Sequence, residues 1–281
     1  MNNIIDAKEI ESYVIHELKK VIETINDKGV KPEFVIINAS DEQANKIYIK
    51  NKVKMAEKLG LKANVIEFTD IVQTEDIIAY IDDCNRNSIP VIVQLPIYEH
   101  LDKESIINYI QPHVDADGFT NEWIGKTYMT NASEVQPATS KGVVALLNYY
   151  DVQYKGKNAL VIGRGKHTGQ CIANMLMNEG STVILANSST QDLDNLIKQA
   201  DIIISCVGKR GLFKEELVKE NSVVIGVGFS YISGKQVQDF DETKLSQCRL
   251  VSNRLNCTGK MTVLALMDNI VQLYKLNLNI K

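Results

Sequence analysis

"NALVIGRGKHTGQCIANML", residues 158–176, holds the pattern on which the fold turns. It opens on a short apolar run, residues 159–162, which is of strand length and is closed off by glycine. Gly163, Gly165 and Gly169 follow in the spacing G-x-G-x-x-x-G, and helical sequence comes after them. Glycines at a strand-to-helix turn let the backbone turn tightly and approach a pyrophosphate, which the unpaired N–H groups of the helix N-terminus favour. The spacing is one residue longer than the usual fingerprint, and a turn glycine-rich for packing alone would look the same. The dinucleotide reading places the pyrophosphate at a helix opening near Lys166.

The next strand sharpens it. In NAD enzymes that strand commonly ends in a carboxylate that binds the ribose 2′-hydroxyl. Here "TVILAN" runs into Asn187, Ser188, Ser189 and Thr190, and Arg164 projects from the glycine turn. Hydroxyls and a cation suit a 2′-phosphate. The expected cofactor is NADP, with NAD possible, on Gly163, Arg164, Gly165, Gly169 and Ser188.

Outward from this turn, apolar runs alternate with helical stretches. "FVIIN", "ANVIEF" and "PVIVQLP" precede it as buried strands, and "DIIISCVG", "SVVIGVG" and "CRLVS" follow. Such alternation predicts an α/β fold of parallel sheets covered on both faces. With 281 residues and a polar break near "MTNASEVQPATSKG", the chain divides into two α/β domains. One spans 1–135, and the C-terminal helix of 260–281 packs back on it. The other, 140–255, is a Rossmann-like doubly wound parallel sheet.

Composition narrows the class. A hydrophobic content of 44%, a charged content of 23% and a net charge of −4 describe an ordinary globular protein without the basic surface that nucleic acid needs. No apolar stretch approaches the roughly 20 residues of a membrane span, and the N-terminus lacks a signal-peptide pattern. Five scattered cysteines without a C-x-x-C pair read as reduced thiols, not a metal site, and point to the cytoplasm.

In "YIKNKVKMAEKLG", residues 48–60, Tyr48, Met55 and Leu59 share an apolar helical stripe with Ala56 at its edge, and Lys52 falls inside it. The lysine stem could pack while its charge snorkels to water. Alternatively, it is a catalytic lysine at a cleft, its pKa lowered by desolvation and its position fixed by Tyr48.

Several fragments together resemble the bifunctional methylenetetrahydrofolate dehydrogenase/cyclohydrolases, the FolD type. "YIKNKVK" is similar to that family's Y-V-x-x-K-x-K, "VQLPIYEHLD" to V-Q-L-P-L-P, and "DADGFT" to D-V-D-G-F. "GKNALVIGRG" matches the start of its nucleotide domain, and "GKMTVLALMDN" resembles G-P-M-T-V-A-M-L-L-x-N. The resemblance implies Lys52, Tyr48 and Gln94 as the catalytic group, with Gln94 orienting the lysine, and Asp117 as the carboxylate on the pterin edge. It also implies oxidation of 5,10-methylenetetrahydrofolate and hydrolysis of the methenyl product, a place in one-carbon metabolism and purine biosynthesis, and a homodimer through the Rossmann-like domain.

The sequence departs from the pattern in places. Tyr98 replaces the second proline of V-Q-L-P-L-P, Ala138 and Ser140 replace residues of P-C-T-P, and Gly165 replaces the serine of G-R-S. "ANSST" lacks the cation of C-H-S-[RK]-T, and Gly226 stands for the aspartate of V-I-D-V-G. Leu255, Asn256 and Cys257 occupy positions of the P-V-P-G-G-V-G-P-M-T loop where proline and paired glycines are usual. These departures keep open a single-activity cyclohydrolase or a non-catalytic folate-binding relative, as well as an unrelated NADP-dependent dehydrogenase.

Overall fold

The computed structural model describes residues 4–232, 235–253 and 257–280. The chain opens on β1 (Ile4–Ile5) and α1 (Lys8–Asn26), then runs through β2 (Glu33–Asn38), α2 (Gln43–Leu59) and β3 (Lys62–Glu67). Next come α3 (Thr74–Asn87), β4 (Val91–Gln94), α4 (Lys103–Tyr109), α5 (Asn121–Met129) and α6 (Ala138–Tyr149). The glycine turn joins β5 (Asn158–Ile162) to α7 (Gly169–Asn178), followed by β6 (Thr182–Ala186), α8 (Leu193–Gln199) and β7 (Ile202–Ser205). Strand β8 (Val223–Gly226), the antiparallel hairpin β9 (Phe229–Ile232) and β10 (Lys235–Gln238), β11 (Leu250–Ser252) and α9 (Thr258–Asn277) complete it.

One compact unit, Tyr13–Gly125 with Ser133–Ala138 and Val263–Lys281, is built on the parallel sheet β3-β2-β4. Its central strand β2 is buried from Phe34 to Asn38, as an uninterrupted apolar run requires when both faces are covered. Strand β3, expected to be buried, is half-exposed because it is an edge with β2 on one side only. Helix α3 packs Ile77, Ile81 and Cys84 into a core with Val35, Ile37, Val91 and Val93. Each fully buried side chain of this size contributes about 1.5–3 kcal/mol of apolar transfer. Helix α2 stops at Gly60, whose φ of 80° suits a glycine cap.

The other unit, Met1–Ser12, Lys126–Ala132 and Thr139–Thr262, carries a six-stranded sheet in the order β1-β11-β8-β7-β5-β6, every pair parallel. Strands β7 and β8 are buried throughout. Residues 1–135 do not stay together as the sequence suggested. Ile4 pairs with Val251 and Ile5 with Ser252, so the first strand belongs to the sheet that also holds the glycine turn.

In each sheet the strand order reverses at one strand, β2 at the centre of one and β5 next to the edge of the other. Open α/β sheets bind ligands beyond the carboxyl ends of strands at such a reversal. Asn38 and Gln94, in register, end one such pair, and Ile162 and Ser205 end the other.

Candidate active site

The buried line of α2 is Asn45, Ile49, Lys52, Ala56 and Leu59. Tyr48 and Met55, expected on the apolar stripe with Lys52 inside it, lie half-buried on its shoulder, because Ile49 takes the inner position. Lys52 is only 7% exposed, and its ammonium does not snorkel: Nζ donates to Gln94 Oε1 at 2.9 Å in a buried bond. The Gln94 amide is held in one orientation by its other end, since Nε2 donates to Leu95 O at 2.9 Å. That leaves Oε1 to face the lysine. Around it, Asn45 donates to Pro96 O at 2.8 Å, and Asn38 donates to Glu67 Oε2 at 2.6 Å.

Asp117 lies in the loop before α5 and shares its field with Lys52. Burial pulls the Lys52 pKa below the usual lysine range, and the Asp117 charge partly opposes this. Burial likewise pushes the Asp117 carboxyl up, and Lys52 opposes it. Asp115, 1% exposed, accepts from Gly118 N at 2.9 Å and Thr120 N at 2.7 Å. Its own carboxyl is pushed up to about 6, first by burial and further by the neighbouring Asp117. Gly118 has φ +73°, and a Cβ there would sit 2.5 Å from the Gln136 carbonyl carbon, so this turn admits no side chain. Lys52, Gln94 and Asp117 therefore form one cluster, with Tyr48 one helical turn from the lysine.

The glycine turn has its own logic. Gly163 has φ +105°, and a Cβ on it would lie 2.9 Å from Cys206 O at the end of β7. A Cβ on Gly169 would collide with Gly163 O, whereas one on Gly165 would meet nothing within 4 Å. Packing thus demands the first and third glycines, and the middle one faces open space. Helix α7 begins at Gly169 and not near Lys166, because Thr168 N and Gln170 N both turn back to Gly165 O at 3.2 and 3.1 Å. The additional residue of the spacing is absorbed in that turn. Among the described residues no side chain caps the helix, and Ser140 on α6 supports the turn by donating to Thr168 O at 3.2 Å.

Arg164 and Ser188 are both exposed. Asn187 and Thr190 are occupied within their own turn: Ser189 N donates to Asn187 Oδ1 at 2.8 Å and Asn187 N to Thr190 Oγ1 at 2.9 Å. The open backbone at Gly165 and the start of α7 fit a pyrophosphate.

Several departures find a structural reason. A side chain at Gly226 would lie 2.5 Å from Gln238 Oε1, so the Gln238 amide fills that space and exchanges bonds with Ser252. Lys260 pairs with Glu11 at 2.9 Å. Tyr98 N donates to Ala39 O at 2.8 Å, and its ring stacks on His100 with centroids 5.9 Å apart. Leu255 and Asn256 lie outside the described residues, and Cys257 is buried just before α9.

The sequence reading did not single out Asp115, Asn38 or Asn45. The signal was present, a buried polar residue closing the apolar run "FVIIN" and a second aspartate two before Asp117.

A three-stranded parallel unit and a second unit whose doubly wound sheet carries a glycine turn have the architecture of the two-domain α/β nucleotide-cofactor enzymes. The chain belongs to the tetrahydrofolate dehydrogenase/cyclohydrolase family: residues 5–117 match the model of its catalytic domain and 137–278 that of its NAD(P)-binding domain. It is 34% identical over 277 residues to the bifunctional protein FolD of Lactobacillus helveticus, covering 97% of this chain and 98% of that protein. The structure is similar to the bifunctional FolD methylenetetrahydrofolate dehydrogenase/cyclohydrolase of Campylobacter jejuni, with a TM-score of 0.93, 30% identity and coverage of 98% and 99%. It is equally similar, at 0.93 and 25% identity with 98% of each chain covered, to the FolD enzyme of Trypanosoma brucei complexed with NADP and an inhibitor.

Proposed function

We propose that the protein oxidises 5,10-methylenetetrahydrofolate to 5,10-methenyltetrahydrofolate with NADP and hydrolyses the product to 10-formyltetrahydrofolate. The observation that carries this reading is the buried Lys52–Gln94 pair at the carboxyl end of β4. When bound, NADP accepts the hydride that leaves the methylene carbon. In the hydrolysis, neutral Lys52 takes a proton from the water adding to the cationic methenyl carbon and returns it to N5 as the C–N5 bond breaks, while the remaining hydroxyl proton leaves to solvent as the formyl C=O forms. A depressed lysine pKa makes the neutral form available. Gln94 accepts an N–H bond from Lys52 in either protonation state and so holds its position through the cycle. Tyr48 borders the substrate beside Lys52, and Asp117 takes the N–H donors of the pterin edge in a charge-assisted pair.

For the cofactor, Gly163, Gly165 and Gly169 shape the pyrophosphate turn, and Arg164 with Ser188 receives the 2′-phosphate. The dimer we propose forms through edge strand β6, whose Ile184 and Leu185 are 41% and 37% exposed beside an unpaired strand edge. Leu185→Glu would then convert a dimer to a monomer in light scattering. No described helix is long and apolar enough to cross a membrane, and free thiols support a cytoplasmic place in one-carbon metabolism and purine biosynthesis.

The deciding experiment mixes the protein with NADP and methylenetetrahydrofolate and follows the nicotinamide absorbance. A parallel assay follows methenyltetrahydrofolate hydrolysis without cofactor. Hydrolysis with no reduction of NADP or NAD would leave a cyclohydrolase alone, and neither reaction would refute the reading.

A further inference from the structure

Asn269 lies on α9, 0% exposed, in the middle of an apolar helix. A buried carboxamide is stabilising only when its donors and acceptor are bonded. Its Nδ2 donates to Ala116 O at 2.9 Å and to Gln136 O at 2.8 Å, while Oδ1 accepts from Gln136 N at 3.4 Å. Ala116 immediately precedes Asp117, and Gln136 is the residue against which the side-chain-free turn at Gly118 is pressed. The next contact continues the same pattern, since Ala138 N donates to Asp117 O at 3.1 Å. From the other side, the Asp115 carboxylate gathers Gly118 N and Thr120 N.

The carbonyls of Ala116 and Asp117 and the amides of Gly118 and Thr120 are thus held from outside the loop or by its first residue. A loop that must aim one carboxylate has little periodic structure of its own, so its geometry comes from such bonds. Asp115 also anchors the loop to the sheet, as it pairs with Val91 at the start of β4 in an isolated parallel bridge.

We propose that Asn269 is a positioning residue for substrate binding: its carboxamide locks the 115–120 loop and thereby sets the aim of Asp117. This rests on the reading of Asp117 as the pterin-binding carboxylate. Asn269 touches neither substrate nor Lys52 in this role and acts through the loop backbone.

The test has two readouts on Asn269→Ala in the full-length protein. Hydrogen exchange at the amides of Gly118 and Thr120 is expected to accelerate by about tenfold or more while those of β2 stay protected. The dissociation constant of tetrahydrofolate is expected to rise by about tenfold, with NADP affinity unchanged and kcat of methenyl hydrolysis within about threefold. Loss of folded protein alone would instead lower the amplitude of binding of both ligands and leave both affinities as they were. In an Asp117→Ala background, Asn269→Ala should add nothing further to the folate affinity.

Unchanged loop exchange overturns the proposal whatever Asp117 binds. Accelerated exchange with unchanged folate affinity, or an additive effect in the double variant, overturns it also. Unchanged folate affinity in Asp117→Ala alone removes the reading of Asp117 and with it the positioning role. If Asn269→Ala does not fold, Asn269→Ser keeps a hydroxyl on the same Cβ and carries the same comparison.

Discussion

Lys52 Nζ donates to Gln94 Oε1 across 2.9 Å, joining the buried line of a helix to the last residue of a strand 42 positions later. An ammonium taken out of water costs several kcal/mol unless its bonds are replaced, so a single well-held acceptor leaves the charged form disfavoured. That is the condition for a lysine that gives up its proton more readily than a solvated one.

Lys52→Met keeps the unbranched stem in its packing and removes the amine. Methenyltetrahydrofolate hydrolysis should fall by about 10²–10⁴-fold, the range of general acid–base catalysis, with circular dichroism unchanged. In the wild type the rate should rise with pH through an apparent pKa below the 10.5 of free lysine, because the neutral amine is the base. A variant retaining more than about a tenth of the rate would remove Lys52 from the chemistry.

Asp117→Asn turns one acceptor oxygen into a donor that faces the donors of the pterin. Folate binding should weaken by about 1–3 kcal/mol, read by calorimetry with tetrahydrofolate. Equal affinities for the variant and the wild type would locate the pterin elsewhere.

Asp115 sets a pH dependence of stability. Its folded pKa of about 6 lies above the 3.8 of the free side chain, so the folded state binds the proton more tightly than the unfolded. Its contribution is therefore fully present below 3.8 and is lost as pH rises through about 6. Urea midpoints of the wild type should gain on those of Asp115→Asn as pH falls through that window. A constant difference between the two across it would contradict the assignment.

Arg164→Ala tests cofactor choice. One charge-assisted contact contributes about 1.5–3 kcal/mol, so the wild type should prefer NADP over NAD by a factor on the order of tens. The variant should bind both equally, with NAD affinity nearly unchanged. Retention of the preference would move the 2′-phosphate away from the glycine turn.

The sequence by itself determined what local chemistry can encode. The glycines of the β5–α7 turn announced a nucleotide-type strand-to-helix turn, because Gly163 and Gly169 stand where a Cβ has no room. The apolar run of β2 announced a covered parallel strand, and Lys52 stood out because it broke an apolar helical line. The family resemblance named Gln94 as the partner of Lys52, and tertiary structure decided how that contact is made and which other partners are met. It brought Gln94 to Lys52 from 42 residues away and Asn269 to Ala116 from 153. It also exposed the edge strand β6, moved the start of α7 to Gly169 and gave β1 to the sheet of the glycine turn. Periodicity records which face of an element is apolar, whereas the identity of the element that covers it, and of the polar atom that answers a buried ammonium or amide, depends on contacts whose sequence separation leaves no periodic trace.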